Sequence, residues 1–302
     1  MTHFVARIDW EFSETPADYA GRSSGLAWRS LVGRESGAVH TELTNSKLAP
    51  GGRINSHVHA YEEAVYVLAG RPVLAFQGRR FRLRAGDFAL VPLGMAHAWS
   101  NAEDSAEARW LTVHTPQRIP AEEGRHDTFF LPGADLDGAV EEPELGPLLR
   151  YIGHYEGTPP QAEVLRLDEP ARGRRPAGMD TALLAYSGIS VKMLVDRVFG
   201  AELLTMFTVD YEPGGAAQVH DHPFEEAYFF LDGEIEAELG GERHIVRAGD
   251  IVFAGVGATH GFFNTGGGRV RWIETQAPQP PGRHSYRWVD TWKRLEARER
   301  SS

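Results

Sequence analysis

A repeated stretch of 51 residues constrains this chain more than any other feature. Residues 51–101 and 214–264 align without a gap at an offset of 163 positions, and 18 of the 51 positions are identical. Most of the identities are glycines, turn residues, or histidines and glutamates. Internal repetition of this length predicts two copies of one structural unit. We therefore expect two homologous domains, joined by the segment that separates the copies.

The pattern inside each copy predicts β-strands. Segments such as Ala64–Ala69 and Phe88–Val91 are short and apolar, and glycine and proline interrupt them. Runs of this length between turn residues are typical of strands, whereas buried helices need longer apolar periods. The sequence therefore predicts an all-β chain in which each copy forms one β domain.

Changes in composition set the predicted boundaries. The N-terminal domain is expected at 1–120 and the C-terminal domain at 181–302. Between them, residues 121–180 are rich in proline, glycine and acidic residues, so we predict a linker with local structure there. The charged tail at 290–300 suits a short exposed helix.

Bulk composition excludes several classes of partner and site. The 302-residue chain has a formal net charge of −11, which argues against a nucleic-acid or anionic-membrane partner. It contains no cysteine, so any metal must be held by nitrogen and oxygen atoms. We find no apolar run long enough to span a membrane and no secretory signal pattern in the first residues. These features predict a cytoplasmic protein.

Each copy carries four residues with the spacing of a metal site. Two histidines lie two positions apart, a glutamate follows the second histidine by four positions, and a third histidine comes later. The residues are His57, His59, Glu63 and His97 in the first copy and His220, His222, Glu226 and His260 in the second.

The spacing of these residues suits one ion in each copy. Two side chains at i and i+2 on a strand project from the same face. The glutamate must follow a turn, and Pro223 supports a turn there in the second copy. The third histidine follows a Pro92-Leu93-Gly94 turn in the first copy. Because the same four residue types occur twice at the same spacing, we predict one divalent metal per domain.

Three imidazoles and one carboxylate suit borderline divalent first-row ions. Fe, Mn, Ni, Co, Cu and Zn all fit such a ligand set. One or two coordination positions would stay open for water, O2 or a bidentate oxygen substrate.

The predicted walls of the two pockets differ. The side chains in phase with the ligands are Arg53, Val65, Val67 and Trp99 in the first copy and Ala216, Tyr228, Phe230 and Phe262 in the second. The second pocket is therefore expected to be aromatic, and we expect it to carry the chemistry; packing in the barrel core explains the same aromatic side chains equally well. Arg53 is expected to be a solvated residue at the end of its strand. The candidate catalytic residues are Glu63, Glu226 and Tyr228. The other histidines, His114 among them, show no paired pattern and are expected to be surface or core residues.

The two motifs resemble those of the cupin superfamily. G-x5-H-x-H-x3-E-x6-G matches from Gly51 to Gly70 and again from Gly214 to Gly233. G-x5-P-x-G-x2-H-x3-N matches from Gly86 to Asn101, and the copy that ends at Asn264 has glycine in place of the proline. The chain thus looks like a two-domain cupin, or bicupin. This resemblance implies two jelly-roll (RmlC-like) β-barrels with metal in the barrel mouth, and it favours Fe(II) or Mn(II).

The resemblance leaves the reaction open, because cupins include many enzyme classes. One hypothesis is a quercetinase-like dioxygenase that acts on a small enolic, phenolic or carboxylate substrate. A second is a non-redox isomerase, decarboxylase or hydrolase, for example similar to ureidoglycine aminohydrolase. A third is a non-catalytic cupin. The expected partner is a small molecule, and homo-oligomerisation stays open.

Overall fold

The structure, a computed structural model, describes seven parts of the chain. They are residues 2–10, 14–119, 126–132, 137–144, 151–155, 186–280 and 287–288. Two thirds of the predicted linker and all of the predicted C-terminal helix at 290–300 lie outside the described residues.

The described residues form 21 β-strands and two short 3-10 turns, which confirms the all-β prediction. The turns are Ala17–Tyr19 and Arg34–Ser36. Strands of the first half are β1 His3–Arg7, β2 Ser23–Val32, β3 Glu42–His59, β4 Glu62–Ala69, β5 Val73–Phe76, β6 Arg79–Arg82, β7 Asp87–Val91, β8 His97–Ser100, β9 Ala108–Thr115, β10 Thr128–Phe130, β11 Val140–Glu141 and β12 Ile152–His154. Strands of the second half are β13 Tyr186–Val195, β14 Thr205–Asp221, β15 Glu225–Asp232, β16 Glu234–Leu239, β17 Glu242–Arg247, β18 Asp250–Ala254, β19 His260–Phe263, β20 Val270–Ala277 and β21 Arg287–Trp288. No helix among the described residues is long and apolar enough to cross a membrane.

These strands build two curled sheets with equivalent topology, as expected for two barrels. The first sheet has the order β11-β6-β5-β8-β3-β9-β4-β7-β12, with β2 and β10 also paired to β3. The second has the order β1-β18-β15-β20-β14-β19-β16-β17, with β13 and β21 paired to β14. The long strands β3 and β14 each pair with four other strands, β8 and β9 among the partners of β3 and β19 and β20 among those of β14.

The chain divides into two compact units. One unit, called here the first domain, comprises Asp9–Glu156 and Leu194–Leu204. The other, the second domain, comprises Met1–Ile8, Gly157–Met193 and Thr205–Ser302. Each unit thus includes a segment from the far part of the sequence.

Specific hydrogen bonds hold these distant segments in their units. In the second domain, β1 pairs antiparallel with β18 from His3 opposite Ala254 to Arg7 opposite Asp250. In the first domain, the Glu62 carboxylate accepts hydrogen bonds from the backbone N–H groups of Glu202 and Leu203, at 2.7 and 2.8 Å. The described parts of the predicted linker, β10 to β12, also pair with strands of the first domain.

Alternating side chains fill the interior of each barrel. Along β16, Ile235, Ala237 and Leu239 are buried, and the intervening glutamates are more exposed. Since successive side chains of a strand point to opposite faces, this alternation places one face on the core. In the second domain, that core is rich in aromatic rings, including Tyr228 and Trp272.

Candidate metal centres

The second domain brings its four predicted ligands together. Ligand atoms of His220, His222, Glu226 and His260 all lie within 4.8 Å of one another, and all four residues are buried. The Nε2 atoms of His222 and His260 each lie 2.9 Å from Oε2 of Glu226. These side chains come from three strand ends, β14, β15 and β19, which meet at one end of the barrel.

The first domain repeats this arrangement with one difference. Ligand atoms of His59, Glu63 and His97 lie within 4.8 Å of one another. The Nε2 atoms of His59 and His97 are 3.1 and 3.7 Å from Oε2 of Glu63. His57 is buried beside them, with its ring centroid 4.1 Å from that of His97, but it lies outside this tight group.

Every one of the six imidazoles has its Nδ1 atom against a backbone carbonyl. In the first domain, His57, His59 and His97 contact the carbonyls of Asn55, Tyr61 and Met95 at 2.8, 2.7 and 3.1 Å. In the second, His220, His222 and His260 contact those of Gln218, Phe224 and Ala258 at 2.7, 2.8 and 2.9 Å. A carbonyl only accepts, so Nδ1 carries the proton and the Nε2 lone pair is left for a metal.

The buried Nε2 atoms support this interpretation. Those of His97 and His260 make no hydrogen bond among the described residues. A buried polar atom without a partner is costly, and metal coordination satisfies it. The donor set therefore fits a divalent first-row ion in each domain.

Electrostatics keep these groups in the protonation states that bind metal. Burial alone would raise the pKa of the Glu226 carboxyl, but His222 and His260 hold that pKa well below its usual range. The Glu63 carboxyl shows the same balance with His59 and His97. Burial, aided by the neighbouring imidazoles, lowers the pKa values of His57 and His220. Ionised carboxylates and neutral imidazoles are the ligating forms.

A tight turn fixes the third histidine of each domain. The N–H of Gly94 donates to the carbonyl of His59 at 2.9 Å, and the N–H of Gly257 donates to that of His222 at the same distance. Both glycines adopt positive φ angles, 69° and 70°, which other residues adopt only at a cost. The turn thereby ties the third histidine to the second one.

The carboxylate ligand of the second domain is held by two further side chains. The Tyr228 hydroxyl donates a hydrogen bond to Oε2 of Glu226. Gln276 Nε2 donates to Oε1 of Glu226 at 2.6 Å, and Thr205 Oγ1 donates to Oε1 of Gln276 at 3.2 Å. Both oxygens of Glu226 are thus hydrogen-bonded within the protein.

The equivalent positions of the first domain hold different residues, one of which, Glu42, forms an ion pair with Arg118. Val65, His114 and Glu42 replace Tyr228, Gln276 and Thr205. Arg118 contacts both oxygens of Glu42, with Nε at 2.9 Å and Nη2 at 3.0 Å. Burial alone would raise the pKa of Glu42, but His114 and then Arg118 lower that pKa to about 2.

A small cavity of about 40 Å³ adjoins the first metal centre. Its lining is partly aromatic, from Tyr19, Trp28, Trp99 and Trp110, and partly ionisable, from His57, Glu63, His114 and Arg118. One water molecule needs roughly 10–15 Å³ of such a cavity, so a ligand of a few non-hydrogen atoms fits. Two predicted metal ligands, His57 and Glu63, thus face a space that can take a ligand.

On the wall of the first pocket, Arg53 is exposed, as expected for a solvated residue at a strand end, and Ile54 lines the cavity in its place. The reason is a register shift between Ile54 and His57 in the pairing of β3 with β8, which changes the face on which Arg53 lies. The cation of the first cavity is Arg118, which the alternation of β3 could not reveal.

In the second domain, the predicted aromatic side chains form packed core. Tyr228 and Phe262 have ring centroids 5.0 Å apart, and Phe262 and Trp272 lie at 5.2 Å. Each of the three is at most 2% exposed. These rings pack against one another in the barrel interior, which agrees with the core-packing alternative for these positions.

A comparison with known protein families finds the same domain in both halves of the chain. The family model of the cupin domain matches residues 45–114 and 207–275. Each match contains one complete set of predicted ligands.

Among individual proteins, "Polyketide synthase CurC" of Streptomyces cyaneus is 38% identical over 82 residues. This match covers 27% of the present chain and spans 53% of that protein's length.

Solved structures of oxalate decarboxylases share the fold over 97% of the chain. The Lactobacillus farciminis formate complex has a TM-score of 0.59 at 20% identity and is covered over 89% of its length. The Bacillus subtilis enzyme, described with Mn(II) centres, has a TM-score of 0.56 at 18% identity and is covered over 80%. At these identities the likeness establishes the fold alone.

Proposed function

We propose that this chain, which is a two-domain cupin, is a metal-dependent enzyme whose substrate binds in the first domain. The observation that carries the proposal is the cavity against His57 and Glu63, lined by tryptophans on one part and by His114 and Arg118 on another. Catalytic sites combine a concave apolar surface with a few convergent polar groups, and this cavity has both.

One divalent ion per domain is part of the proposal. His57, His59, Glu63 and His97 would hold it in the first domain, and the equivalent residues in the second. The Mn(II) centres of the Bacillus subtilis oxalate decarboxylase favour manganese, and Fe(II) fits the same donor set. A bound ion would supply Lewis acidity and, if redox-active, electron transfer to a substrate oxygen or to O2.

The side chains of the first domain have distinct roles in this scheme. The tryptophan rings exclude water and pack against the apolar part of a substrate. The Glu63 carboxylate is a ligand and the nearest base to the cavity; it is ionised at neutral pH because His59 and His97 outweigh the effect of burial. Glu226 in the second domain has both oxygens hydrogen-bonded, so we assign it to metal binding, with Tyr228 as its positioning residue.

We propose that the reaction is a dioxygenation of a small enolic, phenolic or carboxylate substrate. Aromatic side chains beside a metal centre suit planar, oxygen-bearing molecules. The name of the Streptomyces cyaneus relative also points to polyketides, which commonly carry enol and phenol oxygens. No redox-active side chain is needed beside the metal, because O2 oxidises the substrate and both its oxygen atoms enter the product.

Oxygen uptake tests this reaction. The full chain is loaded with Fe(II) or Mn(II) and supplied with a panel of enols, catechols and hydroxy acids. We expect stoichiometric O2 consumption with at least one class, retained in His260→Ala and lost in His97→Ala. Absence of uptake over the whole panel with both metals would refute the dioxygenase.

A non-redox reaction on a small carboxylic acid, such as decarboxylation, is the second candidate. The size of the cavity favours it, since about 40 Å³ limits the substrate to a few atoms. Turnover of hydroxy and keto acids under anaerobic conditions, followed as release of CO2, separates it from the dioxygenase.

A further inference from the structure

The two metal centres differ most at three equivalent positions next to the glutamate ligand. Glu42, His114 and Arg118 occupy these positions in the first domain, and Thr205, Gln276 and Pro280 in the second. Strand pairing confirms the first two equivalences. His114 lies opposite Glu42 and Glu63, as Gln276 lies opposite Thr205 and Glu226. One domain therefore has a charged cluster where the other has neutral hydrogen-bonding groups.

We propose that Arg118 and His114 form a recognition site for the carboxylate group of the substrate in the first domain. This inference rests on the proposed function and names the substrate class: a small acid with a carboxylate and a neighbouring oxygen, such as a 2-hydroxy or 2-oxo acid. The neighbouring oxygen faces the metal ligands, and the carboxylate faces the arginine.

Arg118 has the donors that such a group needs. Its guanidinium carries five N–H groups, of which Glu42 engages one on Nε and one on Nη2. Nη1 has no acceptor among the described residues, and Arg118 lines the cavity. The guanidinium carbon lies 3.7 Å from the centroid of the Trp28 ring, which fixes its plane. A planar, oriented guanidinium is suited to bidentate carboxylate binding.

His114 supplies a second polar group on the same wall. It is 7% exposed, and its Nδ1 makes no hydrogen bond among the described residues, since the nearest carboxylate oxygen, on Glu42, is 3.7 Å away. A buried nitrogen gains free energy when it finds an acceptor. A carboxylate in the cavity would accept from it.

The charges of the site also favour an anion. Glu42 and Arg118 neutralise one another. A divalent ion with Glu63 as its single carboxylate ligand leaves one net positive charge, and bound cations dominate such sites. A monoanionic substrate cancels that charge. In the second domain the equivalent groups are neutral, and aromatic side chains fill the barrel.

Calorimetric titration of the zinc-loaded full chain tests the proposal without any turnover. Glycolate is the probe, since it carries a carboxylate and a neighbouring hydroxyl, and glycolamide is its neutral isostere. We expect one glycolate per chain and at least tenfold weaker binding of glycolamide. We expect loss of glycolate binding in His97→Ala and retention in His260→Ala.

Two variants address the named residues. Arg118→Gln should weaken glycolate binding at least tenfold, whereas Arg271→Lys, which alters an arginine paired with Asp210 in the second domain, should leave it unchanged. His114→Gln installs the second domain's residue while Arg118 and Glu42 stay in place, and should weaken binding severalfold with both metals retained. This second variant keeps the test decisive if Arg118→Gln unfolds.

Equal binding of glycolate and glycolamide, or undiminished binding in His114→Gln and Arg118→Gln, would overturn the proposal. Neither result depends on oxygen chemistry. Failure of O2 uptake with intact glycolate binding would instead reject only the dioxygenase.

Discussion

Gln276 and Glu226 face each other across β20 and β15, and Gln276 Nε2 donates a hydrogen bond of 2.6 Å to Oε1 of Glu226. The residue at the place of Gln276 in the first domain is His114, opposite Glu63. The carboxylate ligand is thus hydrogen-bonded to a glutamine in the second barrel, which we call the clamp, and lies beside a cavity in the first. This contrast motivates a division of labour between the domains.

Removal of the clamp should weaken the second metal centre. Because a hydrogen bond from a neighbouring side chain orients a ligating carboxylate, we expect Gln276→Ala to lower metal affinity there by about 10–100-fold. Chelator competition in a His97→Ala background reports this centre alone. Gln218→Ala is the matched control, because Gln218 binds His220 through its backbone carbonyl, which the substitution keeps. Unchanged affinity in Gln276→Ala would show that the clamp has no role in metal binding.

Tyr228→Phe separates a positioning role from a catalytic one. The hydroxyl donates to Glu226 and is buried among aromatic rings. We therefore expect weaker metal retention in the second domain and nearly unchanged turnover, measured as O2 uptake at saturating metal. Loss of turnover with full metal content would place the chemistry in the second domain.

Gly94→Ala should destabilise the turn that holds His97. Nothing lies within 4 Å of an added Cβ, so the effect comes from the φ of 69° alone. The expected cost is about 1–2 kcal/mol in the free energy of unfolding, measured by urea denaturation. Gly267→Ala is the control, because Gly267 has equal space and no positive φ. Equal effects of the two substitutions would exclude the conformational explanation.

The Glu42–Arg118 pair should make the first domain sensitive to acid. Burial alone raises the pKa of Glu42, but His114 and Arg118 lower it to about 2, below its ordinary 4.5. A depressed carboxyl pKa stabilises the fold above the unfolded pKa, and this contribution is lost as pH falls from about 4.5 to 2. A shift of this size is worth about 3 kcal/mol. Unfolding free energies measured between pH 6 and pH 2.5 should show this slope in the wild type and lose it in Glu42→Gln; an unchanged slope would contradict the assignment.

Much of this architecture is predictable from the repeat. The identical spacing of His57, His59 and Glu63 with their partners in the second copy predicts two equivalent sets of ligands and two β domains. The family resemblance adds the barrel. Those features follow from local spacing, which a sequence shows directly.

The walls of the cavity are not predictable in the same way. Simple alternation puts Arg53 in phase with His57, but a single register shift brings Ile54 to that face, and strand alternation does not signal such a shift. Arg118 and Tyr19 lie outside the repeat and reach the cavity only through tertiary packing. For His114 a signal did exist: its position opposite Glu63 follows from the alignment of RWLTVHTPQ with RWIETQAPQ.

The metal content of the full chain tests the central claim most directly. Elemental analysis of the wild type, His97→Ala and His260→Ala should give two, one and one equivalents of a divalent first-row metal per chain. The Nε2 atoms of both histidines lack other partners among the described residues, so each substitution should empty only its own centre. A wild type that binds no metal, or single variants that keep both equivalents, would contradict the account.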